Sequence, residues 1–300
     1  MPATVVLGNF QSAKEPIARR SFFLGMGREI KERIELYYRK MKSDKKTETY
    51  FEMGDIGTVP VFQGEIEYEG ISQGYESTIP NKLYGKGLRI DYEFMRTDQQ
   101  KIVEDLPRLL GVAMNRRLSG DSASWFNNMF STAYTTRDGL ALISSAHTSN
   151  QPNGPTQSNR ITTAFGPLAL SAARITMRKF LTNKGNVMEV LPTLIFAPID
   201  LEDSVDEVIK TQGQVNTANN TINVHKGKWT GIFDIRFSDT NNWCIADKEL
   251  MKEFQVWQTV DPVKFEQAKD FDGLTAKYRV TDFHGFGSKG WEWILGAEVD

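Results

Sequence analysis

Apolar residues recur along this chain with two periods, and the change from one to the other marks out its elements. From Arg28 to Lys42, Ile30, Ile34, Tyr37, Tyr38 and Met41 fall at i, i+4, i+7, i+8 and i+11. That is one apolar stripe on an otherwise charged helix, and Ser43-Asp-Lys-Lys-Thr47 ends it. Residues 1–27 mix Gly, Ser, Pro and Arg with little periodicity, and the reading there is an extended arm. Further on the period drops to two. Phe62, Ile66 and Tyr68 alternate with Gln63, Glu65, Glu67 and Glu69, and Leu88, Ile90, Tyr92 and Phe94 alternate with Arg89, Asp91 and Glu93. Both runs predict strands with one apolar face. The connection from Gly70 to Gly87 exceeds the roughly two to five residues of a hairpin turn, and connections of that length are usually functional or disordered. It carries Ile71, Tyr75, Ile79, Leu83 and Tyr84, too apolar for a tether. It is expected to project and pack against something outside its own domain.

A helix is expected to start at Thr97 or Asp98, either of which can cap it. It runs through Leu106, Leu109, Leu110, Ala113 and Met114, with a break or restart at Pro107, and passes Ser119-Gly-Asp121 into Trp125, Phe126, Met129 and Phe130. About 30 residues make roughly 45 Å of helix, a structural beam. A loop follows at Thr148–Pro155, a helix over 166–180, a buried-type strand from Val187 to Ala197 and an acidic amphipathic helix marked by Leu201, Val205, Val208 and Ile209. Residues 211–228 read as a polar loop, with strands over 229–237 and 242–245. Near the C-terminus, Gly285-Phe-Gly-Ser-Lys-Gly290 fits G-x-G-x-x-G, the pattern of a dinucleotide phosphate loop. That loop needs a strand before it and a helix after it. Here Ala276–Phe283 alternates as a strand and Trp291-Glu-Trp-Ile-Leu295 is strand-like again, so the two runs predict a β-hairpin. Long helices with separated strands make the class α+β.

Composition bounds the chemistry. The 300 residues, 40% hydrophobic and 25% charged, suit a folded chain of about two domains. No apolar run approaches the ~20 residues that span a bilayer, and the N-terminus lacks the basic start and long apolar core of a signal peptide. One cysteine, Cys244, excludes an internal disulfide framework. A net charge of −2 argues against a protein that grips nucleic acid over a broad basic face. Charge is uneven, however: Ser12 to Lys46 holds eleven Lys or Arg against five Asp or Glu. His147, His225 and His284 lack the close ligand pairs of a metal site. Ser144-Ser-Ala-His147 near Asp138 has no nucleophile elbow around it. Gly120-Asp-Ser-Ala-Ser124 is similar to a serine-esterase block but lies between helical patterns. No catalytic, metal or cofactor-binding residue is therefore assigned, and no cofactor is expected.

The order of features resembles the major capsid protein of tailed phages with the HK97-like fold: a basic arm, a long two-stranded excursion, a long helix, a central α/β portion and returning strands. Asp138-Gly-Leu-Ala-Leu-Ile-Ser-Ser-Ala-His147 is similar to the D-G-x-x-L-x-x-x-x-H segment of Mu-like major head subunits. Leu191-Pro-Thr-Leu-Ile-Phe-Ala-Pro-Ile-Asp-Leu-Glu202 is similar to their strand, proline and helix-start segment.

The resemblance implies an N-terminal arm (1–50), an extended loop or E-loop (51–96), a peripheral domain with a spine helix (97–164 and 271–300) and an axial domain (165–270). It implies a structural protein, not an enzyme, that assembles with itself into pentamers and hexamers of an icosahedral shell. Double-stranded DNA is packaged without sequence specificity, a separate scaffolding protein and a portal are partners, and no membrane is involved. The shell is a virion part assembled in the host bacterial cytoplasm. Near-neutral charge suits a wall that must not trap DNA. Arg19, Arg20, Arg28 and Lys31 on one copy, facing Glu65, Glu67 and Glu69 on the next, are the expected inter-subunit contacts, with Tyr75 as a further candidate. The alternatives are an encapsulin-like compartment shell, a cytosolic α+β enzyme and another virion part such as a tail or decoration protein.

Overall fold

The computed structural model describes residues 8–27, 29–56, 58–66, 68, 70, 73–97, 102–151, 154–213, 222–270 and 274–299. In chain order the elements are α1 (Gly8–Met26), α2 (Glu29–Tyr37), β1 (Arg39–Lys42), β2 (Thr47–Met53), β3 (Gln73–Pro80), β4 (Lys82–Asp91), α3 (Tyr92–Thr97) and α4 (Ile102–Asn127). There follow β5 (Arg160–Ile161), α5 (Pro167–Met177), β6 (Leu194–Ala197), α6 (Glu202–Lys210), β7 (Thr230–Phe233), β8 (Trp243–Ala246), α7 (Lys248–Phe254), β9 (Gln255–Asp270), β10 (Thr275–Ser288) and β11 (Ile294–Ala297). They form a sheet ordered β1-β9-β10-β4, a sheet ordered β5-β11-β8-β6-β7 and the two-stranded ribbon β2-β3. Among the described residues no helix is long and apolar enough to cross a membrane.

The arm expected over residues 1–27 is instead helical from Gly8. Ala18, Phe22 and Met26 fall at i, i+4 and i+8 and are buried, and Phe22 stacks on Phe265 at 4.9 Å between ring centroids. The α1–α4 crossing is backbone-close. A Cβ on Gly111 would land on the Phe22 carbonyl, and one on Gly25 on the Arg108 carbonyl. Gly27, at φ 68°, ends α1 in the left-handed conformation, and its N–H donates to the Phe23 carbonyl. Of the stripe predicted for the next helix, Ile30, Ile34, Tyr37 and Tyr38 are buried, while Met41 lies in β1 because α2 stops at Tyr37. Lys252 Nζ donates to the last carbonyls there, those of Glu35 and Leu36.

The expected break at Pro107 is absent: α4 runs unbroken through it. Proline near a helix N-terminus forfeits one hydrogen bond but keeps a helical φ, and the α1 contact holds the turn. The excursion also differs in register. Residues 62–66 are not a strand, and the span read as a loop, 70–87, contains β3 and most of β4. The true connection runs from Gly54 to Ser72, between β2 and β3. Tyr92 and Phe94 belong to α3 and not to a strand. Asn81 turns the corner between β3 and β4; its Nδ2 donates to Ser43 Oγ at 3.0 Å and to the Lys45 carbonyl at 2.8 Å.

The C-terminal hairpin expected between 276–283 and 291–295 does not form. β10 pairs with β9 and with β4, whereas β11 lies between β5 and β8 in the other sheet. The fingerprint glycines serve close packing. A Cβ on Gly285 would press on the Pro80 carbonyl at 2.6 Å, and one on Gly287 on the Ile79 side chain. The sheets also cut across the domain limits read from the sequence. The 270/271 boundary falls between the paired strands β9 and β10, and β11 shares a sheet with β6 to β8. One apolar core joins these parts. Trp125 of α4 meets Tyr37, Phe196 and Trp293 at 5.9, 5.0 and 5.4 Å.

Candidate interaction surface

The β2–β3 ribbon is held at its root by charge. Arg137 reaches both Glu52 of β2, at 2.9 Å, and Glu292, between Trp291 and Trp293. Burial pushes the Glu292 carboxyl upward, and the Arg137 guanidinium opposes that push. Glu52 also accepts from the Tyr75 backbone N–H at 3.2 Å and from Asn183 Nδ2 at 3.2 Å. Asp55, just beyond the end of β2, accepts from Asn186 Nδ2 and Thr182 Oγ1, both at 2.8 Å; these bonds hold its carboxyl below the usual range. A groove of about 680 Å³ runs along this root, lined by Phe51, Met53, Ile56, Phe254 and Lys289 among others. Arg137 and Asp55 stood out by no motif. A glutamate flanked by two tryptophans was the one visible signal for Glu292.

Beyond the root the chain exposes what it would normally bury. Phe51, Met53, Ile56, Val59, Val61, Phe62, Ile66 and Tyr68 are all exposed, Val59 at 88% and Tyr68 at 92%. These eight large apolar side chains within 18 residues, two at the end of β2 and six on the connection that follows it, form a surface without a cover in the single subunit. The strand predicted from the alternation over 62–69 is not formed at 62–66, where polar and apolar side chains alike are exposed.

The predicted contact residues fall on separate parts. Arg19 and Arg20 are exposed on α1, and Glu65 is exposed on the connection. Arg28, Glu67 and Glu69 lie outside the described residues, as does the side chain of Lys31 in α2. The structure brings none of the described acids and bases of this set together: among the described residues no ion pair links Glu65 to Arg19 or Arg20. Tyr75, half-buried on β3, has its hydroxyl 3.2 Å from Thr148 Oγ1 of the same chain.

The histidines are built into the framework. His147 Nδ1 lies 2.6 Å from Asp138 Oδ2 and Nε2 lies 3.1 Å from Asn159 Oδ1, and the ring stacks on Trp291 at 4.4 Å. The first and last residues of D-G-x-x-L-x-x-x-x-H thus bond to each other. Burial tends to raise the Asp138 carboxyl, but hydrogen bonds from His147 and Thr136 outweigh it and bring it below the usual range. Ser144 takes no part in that pair; its hydroxyl accepts from the Ala146 N–H. His225 accepts at Nδ1 from Trp229 Nε1, so its proton sits on Nε2, facing Ser171 Oγ at 3.0 Å as a donor and not as a base. In the Gly120–Ser124 block, Asp121 turns to His284 at 3.1 Å, while Ser122 and Ser124 donate to carbonyls of their own helix. Burial pushes the Cys244 thiol well up. Among the described residues no group of three or more His, Cys, Asp or Glu is arranged to hold a metal ion.

No curated protein sequence matches the chain. Among solved structures, the capsid chain of bacteriophage JBD30, decorated with minor capsid protein trimers, is similar with a TM-score of 0.54 at 12% identity, covering 68% of this chain and 90% of that one. The mature capsid of bacteriophage PhiM1 matches with a TM-score of 0.54 at 8% identity, over 89% of this chain and 86% of that one. A chain of Mycobacterium phage Patience reaches 0.56 at 9% identity, over 90% and 84%. At such identities the likeness is one of fold, and that fold is the HK97-like one. The sequence model described as phage capsid protein matches residues 76–295, well over half the chain, so the chain belongs to the phage capsid protein family.

Proposed function

We propose that this chain is a major head subunit that assembles with itself into the pentamers and hexamers of an icosahedral shell around phage DNA, and that it is nearest in kind to the Mu-like subunits. The observation that carries the reading is the uncovered apolar run from Phe51 to Tyr68 on a root that is firmly braced. A brace holds the segment in place, and an exposed apolar patch of this size marks a surface for another chain, here a further copy of this one. The two Mu-like segments support the closer kinship: one closes a buried Asp–His pair, the other supplies β6 and the start of α6.

On this reading residues 1–50 are the arm, 51–96 the E-loop, 97–164 the peripheral domain with α4 as its spine, and 165–270 the axial domain. Residues 271–300 return to the peripheral domain. Scaffolding protein, portal and DNA bound without sequence specificity are the further partners, and assembly takes place in the host cytoplasm. The acidic residues Glu65, Glu67 and Glu69 of one copy face Arg19, Arg20, Arg28 and Lys31 of the next, with Tyr75 at the edge of the contact. Electron microscopy of the purified protein, alone and with its scaffold, tests the function: capsomers, shells or tubes are expected, and a small oligomer that never grows contradicts it. Changing Glu65, Glu67 and Glu69 together to Lys tests the pairing. A folded subunit that no longer forms shells is expected; normal shell yield refutes it.

A further inference from the structure

The ribbon β9–β10 has a joint. Its register slips between Thr281 and Phe283 and again between Phe283 and His284, because β9 carries extra residues there. Bulges of this kind bend a ribbon and weaken its pairing locally. The joint separates an inner half, where Val256, Trp257 and Gln258 are buried and β1 is added, from an outer half that carries β4 and packs Phe265 on α1.

His284 sits at this joint and is buried. Its Nδ1 lies 2.6 Å from Asp282 Oδ2, on the slipped stretch of β10, and its Nε2 lies 3.1 Å from Asp121 Oδ2, on α4. Two carboxylate oxygens therefore face the two ring nitrogens, and both bonds form only when each nitrogen carries a proton. The remaining neighbours are accounted for on every side. Arg117 of α4 donates from Nε to Asp121 at 2.7 Å and covers the Tyr84 ring at 4.1 Å. Tyr84 of β4 flanks the imidazole at 4.8 Å, and Lys82 stands opposite His284 in the β4 register with its side chain exposed. Trp257 of β9 stacks on the ring at 4.6 Å, with Phe286 at 6.2 Å. Tyr38 packs against Trp257, and Tyr134 lines the adjoining cavity of about 230 Å³.

We propose that protonated His284 is a pin that locks the ribbon joint to α4, so that the joint stiffens on protonation and loosens when the proton leaves. Burial alone would lower the ring's pKa below 6.5, but the hydrogen bonds and charges of Asp121 and Asp282 outweigh it and raise it. With a raised value in the folded state, the pin's contribution is complete below pH 6.5 and is lost as pH rises through that value. The angle between the long helix and the ribbon thus becomes sensitive to proton concentration at one buried residue.

Two measurements on the full-length unassembled subunit test this. In histidine ring NMR, the signal that disappears in His284→Gln is expected to titrate above pH 6.5, and to move down in Asp121→Asn and in Asp282→Asn. A value at or below 6.5 overturns the pin. In hydrogen exchange corrected for intrinsic rates, amides of residues 115–125 and 275–284 are expected to lose protection as pH rises. The loss should be about tenfold for each pH unit by which the measured value exceeds 6.5. The same amides should show no such step in His284→Gln. An identical pH dependence in wild type and variant overturns the proposal. Should His284→Gln fail to fold, Asp282→Asn, which removes one of the two acceptor charges, must shift the step to lower pH; an unshifted step is equally decisive against it.

Discussion

At the scale of single residues, stability in this subunit rests on buried charge that is used twice. Arg137 serves Glu52 and Glu292 together, so its loss leaves two acids without their cation, one of them almost fully enclosed. Breaking such a pair typically costs ~3–5 kcal/mol, most of it for the charge left behind. Arg137→Met is expected to lower the urea midpoint accordingly, and Arg137→Met with Glu292→Gln to recover a large part of the loss. Asp138 is held below the usual carboxylate range by its folded-state hydrogen bonds. Its contribution is therefore present above about pH 3.9, the unfolded value, and is lost as pH falls through the lower folded one. Acid unfolding followed by tryptophan fluorescence should show Asp138→Asn losing its stability deficit relative to wild type as pH drops below 4.

At the scale of elements, the α1–α4 pair decides whether the N-terminal segment is part of the body. Two glycines, Gly25 and Gly111, let the backbones touch. Gly111→Val forces a side chain into the Phe22 carbonyl, and overpacking of this kind costs typically ~1–3 kcal/mol. Limited trypsin digestion should then cut first at Arg19 or Arg20, both exposed on α1, while the rest of the variant stays resistant. Uniform digestion of the whole chain would show that the crossing supports more than α1.

At the scale of the molecule, a capsid protein must fold alone yet remain incomplete. The apolar connection beyond β2 meets that requirement, because its side chains are exposed whether or not the subunit is folded. Replacing Val61, Phe62, Ile66 and Tyr68 together by Ser should change subunit stability little, within ~0.5 kcal/mol per site. The same protein should fail to build shells in sedimentation and negative-stain microscopy. A shell that still forms would assign the contact to another surface.

Local pattern reached a good part of this. The stripe from Ile30 to Met41 specified α2 and its buried face but overran it by reaching into β1, the run from Leu106 to Phe130 specified the beam α4 but overran its end at Asn127, and Leu201 to Ile209 specified α6, because each reads from side chains within a few turns of one another. The segment from Asp138 to His147 was legible too, although only the fold shows that its Asp and His bond to each other. Everything settled by partners far apart in the chain lay outside that reach. Alternation over 62–69 predicted a strand that residues 62–66 do not form, since no strand of the same subunit pairs with them. Composition in 1–27 suggested an arm because the surface that makes it a helix belongs to α4 and β9. Gly285 and Gly287 resembled a phosphate loop until β3 was seen pressed against them. Strand pairing, the braced root and the His284 joint are long-range choices, made by which surfaces exclude water from one another once the chain has closed.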